Sequence, residues 1–214
     1  MNKRIKLRDA GILIAVSILP ILLVAATLFW WEVELEQQGQ YNALILSAAR
    51  RYEVPKELIK AVIWRESRFR HDAHGAADER GLMQVTPAAG MDWVKHEKQK
   101  HFNPDKLFNP QTNIYAGTWY LSRALKRWKD ADNPVPFALA EYNAGPVHAR
   151  RWSKQIDSLE ADAFMQVMDY PTTRQYILDI SERIEIYRDT PSPDPLEFIK
   201  DKASLYWQKV RTKN

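Results

Sequence analysis

The chain has no cysteine. That excludes disulfides, thiolate metal sites, a cysteine nucleophile and a lipidated N-terminal cysteine. Its 7 glycines form neither a phosphate-binding loop nor a Gly-x-Ser-x-Gly nucleophile turn. Few runs alternate polar and apolar residues as a strand does. Most of the chain also lacks an excess of one charge. The net charge is +4, but Lys3, Arg4, Lys6 and Arg8 against Asp9 supply most of it. The residues after 31 hold 27 basic and 26 acidic side chains. A nucleic-acid partner, which needs a basic face, is therefore not expected. Hydrophobic residues at 45% and charged residues at 27% give a globular balance. Eight Trp, nine Tyr and seven Phe are many for 214 residues. They can fill a core and line a groove for flat rings.

Ala10 to Trp31 is a run of 22 residues without a formal charge. As a helix it would span about 33 Å, enough for a hydrocarbon core of about 30 Å. Pro20 falls mid-run, where a membrane helix tolerates a kink, and Trp30 and Trp31 stand at the end suited to headgroups. A cleaved signal peptide would have a shorter apolar core and a small-x-small site; Ala25-Ala26 matches that poorly. The expectation is a cytoplasmic basic tail over 1–9 and an uncleaved transmembrane anchor over 10–31, with the cytoplasmic membrane as partner. The remainder of the chain would then lie outside the cytoplasm, in the periplasm.

Residues 32–40 are polar and read as a linker. From there the pattern is helical, with expected helices at 41–52, 55–69, 87–98, 111–129, 135–143, 147–157, 160–168 and 172–188. Residues 70–86 interrupt it. Asn143-Ala144-Gly145-Pro146 has helix-ending chemistry. An all-α domain over 41–189 follows. Residues 190–214 then form a linker (190–195) and an amphipathic helix (196–211).

Ile59, Val62 and Ile63 define the core-facing stripe of the second helix, and Glu66 continues it. A carboxyl on an apolar face loses hydration, its pKa rises, and it can act as a general acid near neutral pH. At the end of a helix, Glu66 is equally placed to pair with Arg65, Arg68 or Arg70.

Glu66-Ser67-x-Phe69, followed fifteen places after Glu66 by Gly81-Leu82-Met83-Gln84-x-x-Pro87, resembles the first two motifs of the SLT-type lytic transglycosylases. These are glycoside-hydrolase-like enzymes similar to goose-type lysozyme. Glu141-Tyr142-Asn143-Ala144-Gly145 is similar to the family's Ala-Tyr-Asn-Ala-Gly. Thr172-Thr173-Arg174-Gln175-Tyr176-Ile177 resembles its Glu-Thr-Arg-x-Tyr-Val. The resemblance implies a lysozyme-like all-α fold. It makes Glu66 the catalytic acid and then base, with Ser67 supporting it. Gly81, Gln84, Tyr142, Asn143 and Tyr176 become substrate-binding residues. The sequence departs from the pattern at Gly75, at Asp78-Glu79, at Thr86 and at Thr172, where the family often has Ser, Gly-Ala, Met and Glu. Asp78, Glu79 and Glu141 are candidates to replace the carboxylate missing at Thr172.

The implied reaction cuts the β-1,4 bond between N-acetylmuramic acid and N-acetylglucosamine in peptidoglycan and forms a 1,6-anhydro sugar. Ordinary glycosidases need two carboxylates. An internal hydroxyl nucleophile already has a high effective concentration and needs only one. A second carboxylate at Asp78 or Glu79 would suit a hydrolytic muramidase instead. Loss at Thr172 would suit a non-catalytic wall-binding or assembly protein. The protein partner would be envelope or secretion machinery that the sequence does not name. No cofactor and no metal is expected. His71-Asp72-Ala73-His74 is read as a solvated cluster, and Arg123-Lys126-Arg127-Lys129 as a wet helix face.

Overall fold

The computed structural model describes residues 18–27 and 38–189. The chain divides into two units, Met1–Gln40 and Tyr41–Asn214. In the first, residues 18–27 are helical (α1) with exposed side chains. No helix among the described residues is long and apolar enough to cross a membrane. Most of the expected anchor, and all of the expected C-terminal linker and helix at 190–214, lie outside the described residues. Residues 38–40, at the end of the expected linker, are helical.

The second unit is helical: α2 (Asn42–Tyr52), α3 (Lys56–Ser67), α4 (Pro87–His96), a 3₁₀ turn (Pro104–Phe108), α5 (Pro110–Arg127), α6 (Pro134–Ala144), α7 (Pro146–Ser153), α8 (Ala161–Val167) and α9 (Pro171–Asp189). Two isolated bridges, His74 to Arg80 and Arg80 to Val85, are the only β pairing among the described residues. Proline opens five of the helices, where its missing N–H has no intrahelical partner to lose. Thr86, Asn109 and Asn133 precede three of these prolines. Their side-chain oxygens accept from the N–H of Ala89, Thr112 and Val135, capping the first turns. The expected helices are present, with α3, α4 and α5 each ending two residues, and α7 four residues, before the expected end. The 3₁₀ turn was not anticipated.

Helix α3 packs along α9, and α5 lies against α2, α4 and α6. The interior is aromatic at one end. Phe137 of α6 stacks on Phe164 of α8 at 3.9 Å, with Trp128 and Trp152 around them. At the other end, Leu58, Ile59, Val62 and Ile63 of α3 are fully buried. This is the stripe read from the sequence, and it directs the last turn of α3 toward the middle of α9.

Candidate active site

Helix α3 stops directly after Glu66-Ser67. Arg68 is left-handed (φ 53°) and donates its N–H to Trp64 O, and Phe69 is left-handed as well (φ 62°). Two such non-glycine residues in a row each cost about 1–2 kcal/mol. Burial of the Phe69 side chain, which is 3% exposed, contributes roughly 2 kcal/mol in the other direction. The result is an abrupt reversal that brings residues 81–85 back beside the helix end.

That returning segment is tied from three sides. The Ser67 hydroxyl is buried, 2.8 Å from Leu82 O and 3.2 Å from Ile63 O, so it joins the end of α3 to the loop. Gly81 has φ +72°, and a Cβ there would lie 2.4 Å from Leu107 O and 2.6 Å from Asn113 Nδ2. Only glycine fits. Asn113 of α5, fully buried, accepts from Met83 N–H at 2.7 Å and donates to Arg80 O and Leu107 O at 2.6 and 2.7 Å. Gln84, also left-handed, donates through Nε2 to Ala73 O and Gly81 O. Thus Ser67, Gly81 and Gln84 all shape the loop beside the glutamate.

Glu66 is partly exposed, and Tyr176 of α9 donates its hydroxyl to Glu66 Oε1 at 2.6 Å. The other carboxyl oxygen, Oε2, has no hydrogen bond among the described residues. Desolvation pushes the Glu66 pKa up to about 7. The Tyr176 hydrogen bond and Arg65 pull it down, and Glu79 pushes it up. Burial dominates. The group therefore holds its proton near neutrality. Arg65 is itself bound by Asp179 at 2.9 Å, with its guanidinium 5.3 Å over the Tyr176 ring. The Tyr142 hydroxyl donates to Met83 O at 2.8 Å, and its ring meets Tyr120 edge-on at 6.2 Å. Burial, with the charge of Glu66 nearby, raises the hydroxyl pKa of both Tyr142 and Tyr176 well above the ordinary value. Asn143 is exposed. It accepts at Oδ1 from the buried Thr173 hydroxyl at 2.8 Å, and its amide N–H groups have no hydrogen bond among the described residues. The helix cap belongs to Gly145, whose N–H reaches Glu141 O.

The candidate replacement carboxylates separate clearly. Glu141 turns inward, 3% exposed, and is held by Trp128 Nε1 at 3.0 Å and by Arg127. It is committed to the core side of α6. Asp78 is occupied by His74 and Arg80, which lower its pKa. Glu79 is the carboxylate whose charge Glu66 feels, and its Oε2 accepts from Ala77 N–H. Sequence reasoning missed Asn113, Thr173 and the Arg65–Asp179 pair. The available signal for Asn113 was an amide inside the apolar stripe of α5, beside buried Ile114 and one turn before buried Gly117.

Two outcomes follow from this geometry. The Glu66 pKa is about 7 in the fold against 4.5 for an ordinary glutamate. The favourable contribution of its neutral form is thus fully present below about pH 4.5 and is lost as pH rises through 7. Glu66→Gln removes that dependence. Its stability advantage over the wild type should grow from near zero at pH 4.5 to roughly 1–3 kcal/mol above pH 8, read by urea unfolding across pH. A constant gap would contradict the buried-acid reading. Asn113→Ala strips three backbone groups of their partner, two in buried bonds and one in a part-buried bond, and should lose about 2–4 kcal/mol. Hydrogen exchange should show the Met83 amide losing protection before the helices do.

The family model for the transglycosylase SLT domain matches residues 43–165. A soluble lytic murein transglycosylase of Escherichia coli K12 is 28% identical over 161 residues, which cover 74% of this chain and 24% of that protein. A membrane-bound lytic murein transglycosylase F of Desulfosudis oleivorans is 28% identical over 148 residues, covering 65% of this chain and 31% of the relative. The crystal structure of the 70 kDa soluble lytic transglycosylase of Escherichia coli superposes with a TM-score of 0.62 at 29% identity. It covers 69% of this chain and 24% of that one. The chain thus spans about a quarter to a third of the length of these relatives. With more than half of its residues inside the family model, a matching fold and a desolvated glutamate at the head of the ordered motifs, the chain belongs to the SLT transglycosylase domain family.

Proposed function

We propose that the protein is a peptidoglycan lytic transglycosylase held at the cytoplasmic membrane by residues 10–31, with its helical domain on the periplasmic side. The observation that carries the reaction is Glu66. Its carboxyl is held near neutrality in its protonated form, with one oxygen on Tyr176 and no hydrogen bond to the other among the described residues.

In this reading Glu66 Oε2 gives its proton to the bridging oxygen as the bond from that oxygen to C1 of N-acetylmuramic acid breaks. The 6-hydroxyl of the same ring then attacks C1, and its proton passes to the Glu66 carboxylate. The acid is restored, and no water is consumed. A pKa near the working pH suits a group that donates and then accepts. Tyr176 orients the carboxyl and is a positioning residue. Asn143 offers amide donors, and Ser67, Gly81, Gln84 and Tyr142 hold the loop and the groove wall. One carboxylate is sufficient. Glu79 is the specific observation that favours hydrolysis, because it alone of the three candidates bears on Glu66.

The full chain in detergent, given intact peptidoglycan, should release muropeptides one water lighter than hydrolysis products, read by mass spectrometry. Glu66→Gln should lower the rate by about 10²–10⁴. Glu79→Gln should keep the lighter product. Hydrolytic masses that vanish with Glu79→Gln would establish the muramidase instead.

The anchor is supported by the charge-free run, the four basic residues before it, and a membrane-bound relative. A reporter that works only outside the cytoplasm, fused after Asn214, should be active, and the chain should resist alkaline extraction from membranes. A soluble product beginning near Thr27 would overturn the anchor.

A further inference from the structure

Two departures from the family pattern, Gly75 in place of serine and Asp78-Glu79 in place of Gly-Ala, meet in space. Gly75 does not have a positive φ, so what it supplies is room. A Cβ there would overlap the Glu79 carboxylate and lie 2.8 Å from Gln84 Oε1. The side chain lost at 75 is thus replaced by the one gained at 79, which folds back over the glycine. That conformation is held twice. Gly75 N–H donates to Glu79 O at 2.7 Å, and Ala77 N–H donates to Glu79 Oε2 at 2.9 Å.

The exchange changes the hydrogen-bonding character of the spot. A serine hydroxyl can donate to a carbonyl, whereas an ionised carboxylate only accepts. Gln84 adds a second acceptor. Its Nε2 is spent on Ala73 O and Gly81 O at 3.1 and 2.9 Å, which leaves Oε1 beside Gly75. Glu79 Oε1 and Gln84 Oε1 accept no hydrogen bond, and Glu79 has no cationic partner, among the described residues. Arg80, next in the chain, is taken by Asp78 and Asp105. The charge of Glu79 reaches Glu66, so a sugar bound at the acid passes close to both acceptors. Such a pair, carrying one negative charge, favours a group that only donates. The acetamido group of an amino sugar brings one N–H and a carbonyl oxygen that the carboxylate repels. A free amine on the same carbon, once protonated, brings three donors, no acceptor and the opposite charge.

We propose that Glu79 and Gln84 form a subsite for the ammonium group of an amino sugar that has lost its acetyl group, so that the protein accepts de-N-acetylated glycan. The inference rests on the lytic transglycosylase reading above, which supplies the amino-sugar strand.

The test uses two peptide-free probes, glucosamine oligomers and N-acetylglucosamine oligomers of equal length. Their binding to the full chain in detergent is measured by calorimetry at mildly acidic pH, where the sugar amines are protonated. The wild type should bind the glucosamine oligomers roughly two- to fivefold more tightly, the scale of one ion pair near the surface, and the difference should shrink with salt. Glu79→Gln keeps the shape, removes the charge and should bring the ratio close to one. Gly75→Ser should do the same with the charge still present, because the added side chain displaces the carboxylate and offers a donor. Asp92→Asn, an equal loss of charge on α4, should leave the ratio unchanged. Equal or tighter binding of the acetylated oligomers by the wild type, binding of neither probe, or a ratio that Glu79→Gln leaves unchanged overturns the subsite. A ratio that Asp92→Asn lowers as far overturns it too, since that is general attraction of cations. The readout does not need cleavage: a chain that binds as expected yet releases no muropeptides keeps the subsite and loses the proposed function.

Discussion

The hydrogen bond from Tyr176 to Glu66 joins residues 110 positions apart at 2.6 Å, and it exists because α3 and α9 pack side by side. Neither helix makes the site alone. The apolar stripe of α3 removes water from around the carboxyl, which raises its pKa. Tyr176, 2% exposed, restores one polar contact without restoring solvent. Two opposed effects of different size thus place the group near pH 7. More hydration would leave an ordinary carboxylate that has lost its proton at neutrality. With no hydrogen bond the acid would be held too firmly and its orientation left free.

The loop facing this acid is built at a conformational cost. Arg68, Phe69, Asp78 and Gln84 are non-glycine residues in the left-handed region, clustered within one segment beside the site. Such backbone persists only where the surroundings over-determine it. Asn113 is the main determinant: three bonds from one amide fix residues 80, 83 and 107 relative to α5. Gly81 permits the contact, because any side chain there would collide with the amide it serves. The Ser67 hydroxyl closes the same loop onto α3. The two motifs are therefore one object in space: the serine of the first holds the leucine carbonyl of the second.

That coupling also explains what the sequence reveals and what it hides. The helices were legible because proline starts, asparagine caps and apolar spacing agree. Glu66 was legible because a carboxyl broke an apolar stripe. The tyrosines and Asn143 were reached through ordered motifs rather than through periodicity. The direction a side chain takes at a helix end was not legible. Glu141 stands next to Tyr142 in sequence yet points into the core, where Trp128 Nε1 donates to it and Arg127 pairs with it, so proximity in a motif misled. Asn113 was hidden because a single amide among apolar neighbours resembles a tolerated polar residue until its three partners, two of them some thirty residues away, are in view. The short 3₁₀ turn at Pro104–Phe108 carries too few residues for a period to register.

Helix α5 gathers these parts along one line. Asn113, Gly117, Tyr120 and Arg123 recur at steps of four, three and three, which keeps them close to one side of a helix over about 15 Å. The first clamps the loop. The second leaves room for Met83, whose sulfur would lie 2.7 Å from a Cβ at that position. The third meets the Tyr142 ring, and the fourth lies over the Trp119 ring. A side chain added at Gly117 would push Met83, and with it the carbonyl that receives the Tyr142 hydroxyl. The loop, Met83 and the Tyr142 ring are thus registered by the rise of a single rigid element, and a rigid helix transmits position without needing to move.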